Sequence, residues 1–277
     1  MTALARALGL GDGDRAILVT ADDLGLCHAS TQGAVRALEE GAVTSAGLLV
    51  PAPWAREAAH RARGHDVGVH LALTAPLPRY RWGPVTFAPS LLGGDGGFPA
   101  TVADLHDHAD PTEVKRECRA QLERAALYGV DPTHLSVLDG ALFAEPALFD
   151  VLAELAEESA LPLRLPDRAS SSFGYPLHDL ADERALVRPD AVRDATLARE
   201  DPSAFVASLA PGVTELVLRP AAASDELAAL APDAEARVAD LELVRRGSLG
   251  AALVAAGVHV VGWSALRDVA RRVAAAP

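Results

Sequence analysis

The feature that most constrains the fold is an apolar segment that ends in two adjacent aspartates. Residues 16–26 read Ala-Ile-Leu-Val-Thr-Ala-Asp-Asp-Leu-Gly-Leu. A continuous apolar run of this kind is typical of a parallel strand that is buried on both faces. Asp22 and Asp23 would then lie at the carboxyl end of the strand, where α/β proteins carry their chemistry. The alternative interpretation is that one of them only caps the helix beginning near Ser30.

Strand-like and helix-like segments alternate along the rest of the chain. Further strands are predicted at residues 44–50, 66–73, 132–138, 161–165, 213–218 and 258–261. Such alternation indicates right-handed crossovers and a parallel sheet. We therefore predict an α/β fold, a seven-stranded (β/α) barrel, formed by a single domain of residues 1–277. An open doubly wound sheet is the alternative, disfavoured because no Gly-rich phosphate loop follows the first strand.

Two segments are too long to be simple connections between a strand and a helix. They cover residues 74–99, which contain Trp82 and many Gly and Pro residues, and residues 166–200. Long loops in compact domains are usually functional, as lids or as walls of a binding site. We expect the first of them to contribute to a substrate site.

Composition narrows the range of partners and compartments. The formal net charge of −13 argues against nucleic acid or an anionic membrane surface. The sequence contains neither the roughly 18–20 apolar residues of a membrane span nor the pattern of a signal peptide. Cys27 and Cys118 have no motif spacing, which is typical of reduced thiols. We expect a cytoplasmic protein with a small-molecule substrate, and we leave open whether it forms a homodimer.

Polar residues recur at the predicted carboxyl ends of the strands. Besides the two aspartates, these are His70, His134, Asp139, Arg164 and Arg219. Carboxylates and imidazoles that converge on one rim of a barrel are what a hydrolytic divalent-metal site requires. No two of these residues have a diagnostic local spacing, so the prediction depends on the whole set.

The ordered set of motifs resembles one known family. The segments are Thr-Ala-Asp-Asp-Leu-Gly at 20–25, Val-Thr-Ser at 43–45, Gly-Val-His-Leu-Ala-Leu-Thr at 68–74, Pro-Thr-His-Leu at 132–135, Arg-Leu-Pro at 164–166, Gly-Val-Thr-Glu-Leu at 212–216 and Gly-Trp at 262–263. Together they resemble the YdjC/ChbG-like carbohydrate deacetylases over almost the whole chain. The resemblance implies a barrel of the glycoside hydrolase/deacetylase type that removes an N-acetyl group from an amino sugar with a metal-activated water.

The resemblance also implies roles for individual residues. Asp22 would be the general base, and Asp23 and His70 would be ligands of a divalent metal, Mg or Zn. Arg164 would orient a carboxylate. The cation would lower the pKa of water and polarise the acetyl carbonyl, while Asp22 accepts the proton.

Three further side chains are assigned to substrate binding. Trp82 would form part of the wall around the sugar, and His134 and Thr31 complete the predicted set. Thr31 stands where the family commonly has asparagine.

The chain departs from the family at two of the expected histidines. Leu138 stands at the position of the third metal ligand, and Asp139 is one residue away from it. Adjacent residues in a strand point to opposite faces, which weighs against Asp139 as a replacement. Arg219 stands where a general acid is expected, but a guanidinium does not release its proton. We hypothesise that Arg219 instead neutralises Asp22 or Asp23, or binds an oxyanion. The metal site itself would then be weakened or lost.

Three functions remain open at this point. The first is a metal-dependent carbohydrate deacetylase. The second is a metal-independent acid/base enzyme acting on a sugar or secondary metabolite. The third is a non-catalytic barrel that binds a ligand or a partner. Release of acetate would support the first function, and turnover that chelators do not affect would support the second. Saturable binding without turnover would support the third.

Overall fold

The structure is a computed structural model that describes residues 1–40, 43–168 and 173–275. Its strands are all paired in parallel. They are β1 Arg15–Leu24, β2 Ser45–Leu48, β3 Asp66–Leu71, β4 Leu135–Val137, β5 Ala191–Asp194, β6 Gly212–Leu218 and β7 His259–Val260.

In the described part of the chain, at least one helix lies between every two consecutive strands, as the alternating sequence pattern predicts. In chain order they are α1 Ala3–Ala7, α2 His28–Glu39, α3 Ala55–Arg61, α4 Val102–His106, α5 Pro111–Leu127, α6 Pro146–Ser159, α7 Leu177–Glu183, α8 Thr196–Glu200, α9 Pro202–Ala207, α10 Asp225–Leu230, α11 Ala234–Arg245, α12 Ser248–Ala255 and α13 Trp263–Ala274. Turns of 3-10 helix lie at Pro89–Leu91 and Leu138–Gly140.

The sheet is curled around β1. The strand order is β4-β3-β2-β1-β6-β5, with β7 also paired to β1. Between the edge strands β4 and β5, Leu163 forms an isolated bridge to Leu135 and donates its N–H to the Val187 carbonyl. The predicted α/β, barrel-type fold is therefore confirmed, in the form of a curled parallel sheet surrounded by helices.

The prediction of a strand at residues 161–165 is wrong. Only Leu163 forms a bridge there, and the fifth strand is instead Ala191–Asp194, inside the predicted long loop. Arg193 and Asp194 are exposed on this edge strand. Because the strand lacks the apolar run of a buried strand, the pattern of the sequence does not reveal it.

Alternate residues of β1 point to opposite sides of the sheet. Ile17 and Val19 belong to the main core between the sheet and its helices, whereas Leu18 packs with Trp263 and Leu266 of α13. The C-terminal helix therefore closes one end of the curled sheet, at the end opposite Asp22 and Asp23.

The predicted loop of residues 74–99 contains a single 3-10 turn and is hydrogen-bonded to α5. Glu117 is fully buried and accepts hydrogen bonds from the backbone of Val85 and Thr86 at 3.0 and 2.9 Å. In the second predicted loop, residues 173–200 contain α7, β5 and α8, and residues 169–172 lie outside the described residues.

In the described part of the chain, no helix is long and apolar enough to cross a membrane.

Candidate active site

Both aspartates at the end of β1 line one cavity. The pairing of β1 with β2 is irregular between Ala21 and Leu24, and Asp23 has a φ of +61°. In a regular strand Asp22 and Asp23 would point to opposite faces, so this irregularity allows both carboxylates to face the same space. Neither caps α2, whose N-cap residue is Cys27.

The cavity has a volume of about 500 Å³ and lies at the carboxyl ends of the strands. Its lining is strongly charged and includes Asp22, Asp23, His70, Asp139, Arg164, Asp194, Arg199, Arg219, Arg237 and Asp240. The apolar part of the wall comes mainly from the first long loop, with Pro76, Leu77 and Trp82.

Arg164 joins two buried carboxylates. Its guanidinium donates to both oxygens of Asp22, at 2.6 and 3.2 Å, and to both oxygens of Glu215, at 2.8 and 2.5 Å. Burial by itself would raise the pKa of Asp22, but the charge of Arg164, with smaller contributions from His70 and Arg219, lowers it. Asp22 is therefore a carboxylate at neutral pH.

Space for Asp22 depends on a glycine in the neighbouring strand β2. A Cβ atom at position 47 would lie 2.9 Å from Oδ1 of Asp22. Gly47 therefore allows the carboxylate to lie against the sheet, where Arg164 reaches it.

A chain of hydrogen bonds links this ion pair to the far end of the sheet. The Trp263 indole donates to the Thr20 hydroxyl at 3.0 Å, and this hydroxyl donates to Glu215 at 2.6 Å. Glu215 in turn holds Arg164, so the orientation of Asp22 depends on side chains of β1, β6 and α13.

Asp23 is held by a second arginine. Nη1 of Arg237 donates to Oδ2 of Asp23 at 2.7 Å, and Oδ1 of Asp23 faces Nε2 of His70 at 3.9 Å. The Arg237 side chain is only 7% exposed. The other nitrogen of the His70 ring, Nδ1, shares a hydrogen bond of 2.8 Å with Ser136, which fixes the ring.

Arg219 lies in a different place from the one hypothesised. Its side chain is 52% exposed at the edge of the cavity, and Nη1 contacts Asp233 at 3.1 Å. Arg164 and Arg237 are the arginines that neutralise Asp22 and Asp23. Arg219 therefore forms no ion pair with Asp22 or Asp23, although its charge adds a small part to the lowering of the Asp22 pKa. Binding of an oxyanion by Arg219, which lines the cavity, stays a prediction.

The predicted substrate-binding residues divide into two groups. Trp82 lines the cavity, but His134 and Thr31 do not. His134 is fully buried and stacks on Trp263 with ring centroids 4.4 Å apart. Burial, together with the charges of Arg164 and His70, holds its pKa well below the usual value. His134 is thus a neutral core residue, and Thr31 is likewise fully buried, in α2. The structure does not support substrate contact by either.

The residues of the site do not fit a divalent metal held by three protein ligands. Asp23 and His70 face each other, but Oδ2 of Asp23 is already bound to Arg237. Leu138, at the expected third position, has no donor atom. Asp139 lines the cavity and accepts a hydrogen bond from Thr74 at 3.0 Å. Among the described residues no group of three His, Cys, Asp or Glu could hold a metal ion.

Sequence reasoning missed Glu215 and Arg237, which hold the site's charged groups in place, and also Asp194, Arg199 and Asp240 of the cavity wall. Glu215 belongs to the Gly-Val-Thr-Glu-Leu motif, and a charged residue inside an otherwise apolar strand is a signal that could have found it. Arg237 lies in a charged helical segment, where an arginine is normally exposed. No local signal distinguishes it from its neighbours.

The curled parallel sheet and the charged rim at the carboxyl ends of its strands define an α/β barrel-type protein with an enzyme-like site. A family profile described as YdjC-like protein matches residues 16–255. The chain belongs to this YdjC-like family, which confirms the resemblance found in the sequence.

Similar proteins include two named carbohydrate deacetylase. The Thermus thermophilus protein is 34% identical over 274 residues, which cover 96% of this chain and 98% of that protein. The Geobacillus stearothermophilus protein is 30% identical over 253 residues, covering 90% of this chain and 97% of that one. These alignments are nearly complete in both directions.

Solved structures show the same fold. A protein of Enterococcus faecalis V583, described as a candidate for cellobiose-phosphate cleavage, aligns with a TM-score of 0.79 and 25% identity, covering 91% of this chain and 99% of that one. An uncharacterised protein of Agrobacterium tumefaciens C58 aligns with a TM-score of 0.55 and 18% identity over 92% and 90% of the two chains. The second likeness concerns the fold alone.

Proposed function

We propose that this protein hydrolyses the amide bond of an N-acylated sugar or a closely related small molecule, and that acetate is the acyl group released. The observation that carries the proposal is the convergence of Asp22, Asp23 and His70 in one cavity at the carboxyl end of the sheet. Relatives that align over nearly their whole length are named carbohydrate deacetylase, which supports the same reaction.

Asp22 is the group we assign as the general base. It stays ionised because Arg164 lowers its pKa, and Glu215 keeps Arg164 in place. In the proposed reaction a water molecule attacks the carbonyl carbon of the amide and gives its proton to Asp22. A base with a lowered pKa is weak but permanently available, so its efficiency depends on correct placement of the water.

His70 is the group we assign to the leaving amine. Arg219 cannot supply a proton, whereas the His70 ring lines the cavity and is fixed by Ser136. When the carbon–nitrogen bond breaks, the departing nitrogen takes up, through Nε2 of His70, the proton that Asp22 accepted from the water. Oδ1 of Asp23 lies 3.9 Å from the same Nε2 atom.

The substrate wall we assign to the first long loop. Trp82 and Leu77 line the cavity beside the charged groups. An apolar wall opposite a polar rim suits a sugar ring, which has apolar faces and polar edges.

Two buried free cysteines, Cys27 and Cys118, support the proposal of a cytoplasmic location.

The test is acetate release from N-acetylated chito-oligosaccharides by the full-length protein. Asp22→Asn keeps the shape of the side chain but removes the base, so we expect kcat/KM to fall by about 10²–10⁴-fold. His70→Gln should lower kcat with little change in KM.

Asp268→Asn and His65→Ala are matched controls, because both residues are exposed and neither lines the cavity. Their kcat/KM should equal that of the wild type. Saturable binding of the oligosaccharide without acetate release by the wild type would contradict the proposal and would favour a binding barrel. Equal rates for Asp22→Asn and wild type would contradict the role of Asp22.

A further inference from the structure

Arg237 occupies an unusual position for a helical arginine. It lies on α11, more than 200 residues away from Asp23 in the sequence, and both side chains are more than nine-tenths buried. Nε of Arg237 donates to Asp233 at 2.7 Å, while Nη1 donates to Asp23 at 2.7 Å. Two carboxylates from different elements therefore fix this guanidinium in one orientation.

The contact with Arg237 uses the oxygen of Asp23 that does not face His70. Oδ2 accepts from Arg237, and Oδ1 faces His70. A buried carboxylate is costly unless it is paired. At Asp23 the pairing is supplied by a permanent cation that belongs to the chain, because a guanidinium does not deprotonate in proteins.

The rest of the cavity is consistent with this charge arrangement. Its lining contains five aspartates and four arginines, so the protein itself supplies nearly all the positive charge that the carboxylates need. Leu138 adds an apolar surface at the position where the resemblance to the family implies a third metal ligand. A dication held between Oδ1 of Asp23 and Nε2 of His70 would lie close to the positive charge of Arg237 and beside Leu138, which supplies no third ligand.

We propose that Arg237 takes the place of a divalent cation in this protein, as the fixed positive charge that holds Asp23 beside His70. The site then retains its carboxylates and imidazole without binding a metal. This inference rests on the proposed function only in that the site would serve that reaction. Its test measures metal binding and not turnover, so the inference about Arg237 and the proposed function can fail independently of each other.

The experiment is calorimetric titration of full-length protein with Ni²⁺ and with Zn²⁺. The proteins compared are the wild type, Leu138→His, Arg237→Ala and the double variant Leu138→His/Arg237→Ala. The double variant frees Oδ2 of Asp23 and adds an imidazole at the expected third position. We expect about one equivalent of Ni²⁺ to bind the double variant at least about tenfold more tightly than either single variant, and no saturable binding to the wild type.

Arg245→Ala is the matched control, since Arg245 lies on the same helix but is 47% exposed. Combined with Leu138→His, it should not improve metal binding. Thermal unfolding provides a second measurement: Ni²⁺ should raise the Tm of the Arg237 double variant and leave that of the control unchanged.

Two results would overturn the proposal. One is binding of a single equivalent of Ni²⁺ or Zn²⁺ to the wild type that is lost in His70→Ala. The other is equal metal affinity of Leu138→His with and without Arg237. The first of these results involves no change at Arg237, so it decides the question even if removal of Arg237 unfolds the protein.

Discussion

At the scale of single residues, the buried charged side chains of the site are stabilised by ion pairs with one another. Asp22 and Glu215 share the guanidinium of Arg164, and Glu215 is fully buried. Because neither carboxylate has a second cation at comparable distance among the described residues, the state of Asp22 depends on this one arginine.

We expect Arg164→Met to lower the free energy of unfolding by about 3–5 kcal/mol at neutral pH, because two buried carboxylates lose their partner. In the wild type the folded-state pKa of Asp22 is lowered, so its stabilising contribution is present above the unfolded pKa and is lost as the pH falls through the folded pKa. In the variant, burial without a cation raises that pKa, so the loss of stability should shrink as acid protonates Asp22.

The measurement is urea unfolding at about pH 4 and about pH 7. Arg271→Met, which removes a half-exposed arginine, is the control and should change stability by no more than about 0.5 kcal/mol. A loss in Arg164→Met that is the same at both pH values would contradict this account.

At the scale of elements, α5 holds the loop that forms the apolar wall. Glu117 accepts hydrogen bonds from Val85, from Thr86 and from Gln121 of the same helix. Gln121 also binds the backbone of Ala72 at the start of the loop, at 3.1 and 2.8 Å. The loop is therefore positioned by polar side chains of a helix that itself lies outside the site.

Glu117→Ala should leave two partly buried backbone N–H groups of the loop without acceptors, at a cost of about 1–3 kcal/mol in stability. Because Trp82 belongs to this loop, we expect a higher KM for the oligosaccharide with a smaller change in kcat. Limited proteolysis should show faster cleavage within residues 74–99. Glu123→Ala, on the exposed side of the same helix, should behave as the wild type. Unchanged proteolysis and KM in Glu117→Ala would show that the loop is held by its apolar contacts instead.

At the scale of the whole molecule, α13 closes the end of the sheet opposite the site. Trp263 and Leu266 are fully buried against Leu18 of β1. The last strand, β7, has only two residues, so the chain completes this end mainly with a helix. Through Trp263 and Thr20 the same helix also reaches the charged network of the site.

Leu266→Ala should lower the free energy of unfolding by about 2–5 kcal/mol, since it opens a cavity in a packed core. Val273→Ala, 45% exposed on the same helix, should have little effect. Chemical denaturation of both variants measures the difference. Equal, small losses would mean that α13 contributes little to closing the sheet.

The sequence predicted much of this architecture, and its errors have physical causes. The strands that are buried, such as β1 and β6, have apolar patterns that identify them. The edge strand β5 is partly exposed, so it has no such pattern, and residues 161–165 were apolar without forming a strand. Apolar content reports burial, and burial is not the same property as strand pairing.

The sequence by itself determined the parallel sheet, the place of the chemistry at its carboxyl ends, and the presence there of Asp22, Asp23, His70 and Arg164. These follow from local periodicity and from motifs. Only the tertiary structure decided which cation neutralises which carboxylate: Arg237 binds Asp23, and Arg219 binds Asp233 at the edge of the cavity. The physical reason is that ion pairs form between side chains brought together from distant parts of the chain, and the local sequence around an arginine does not show which carboxylate it will meet.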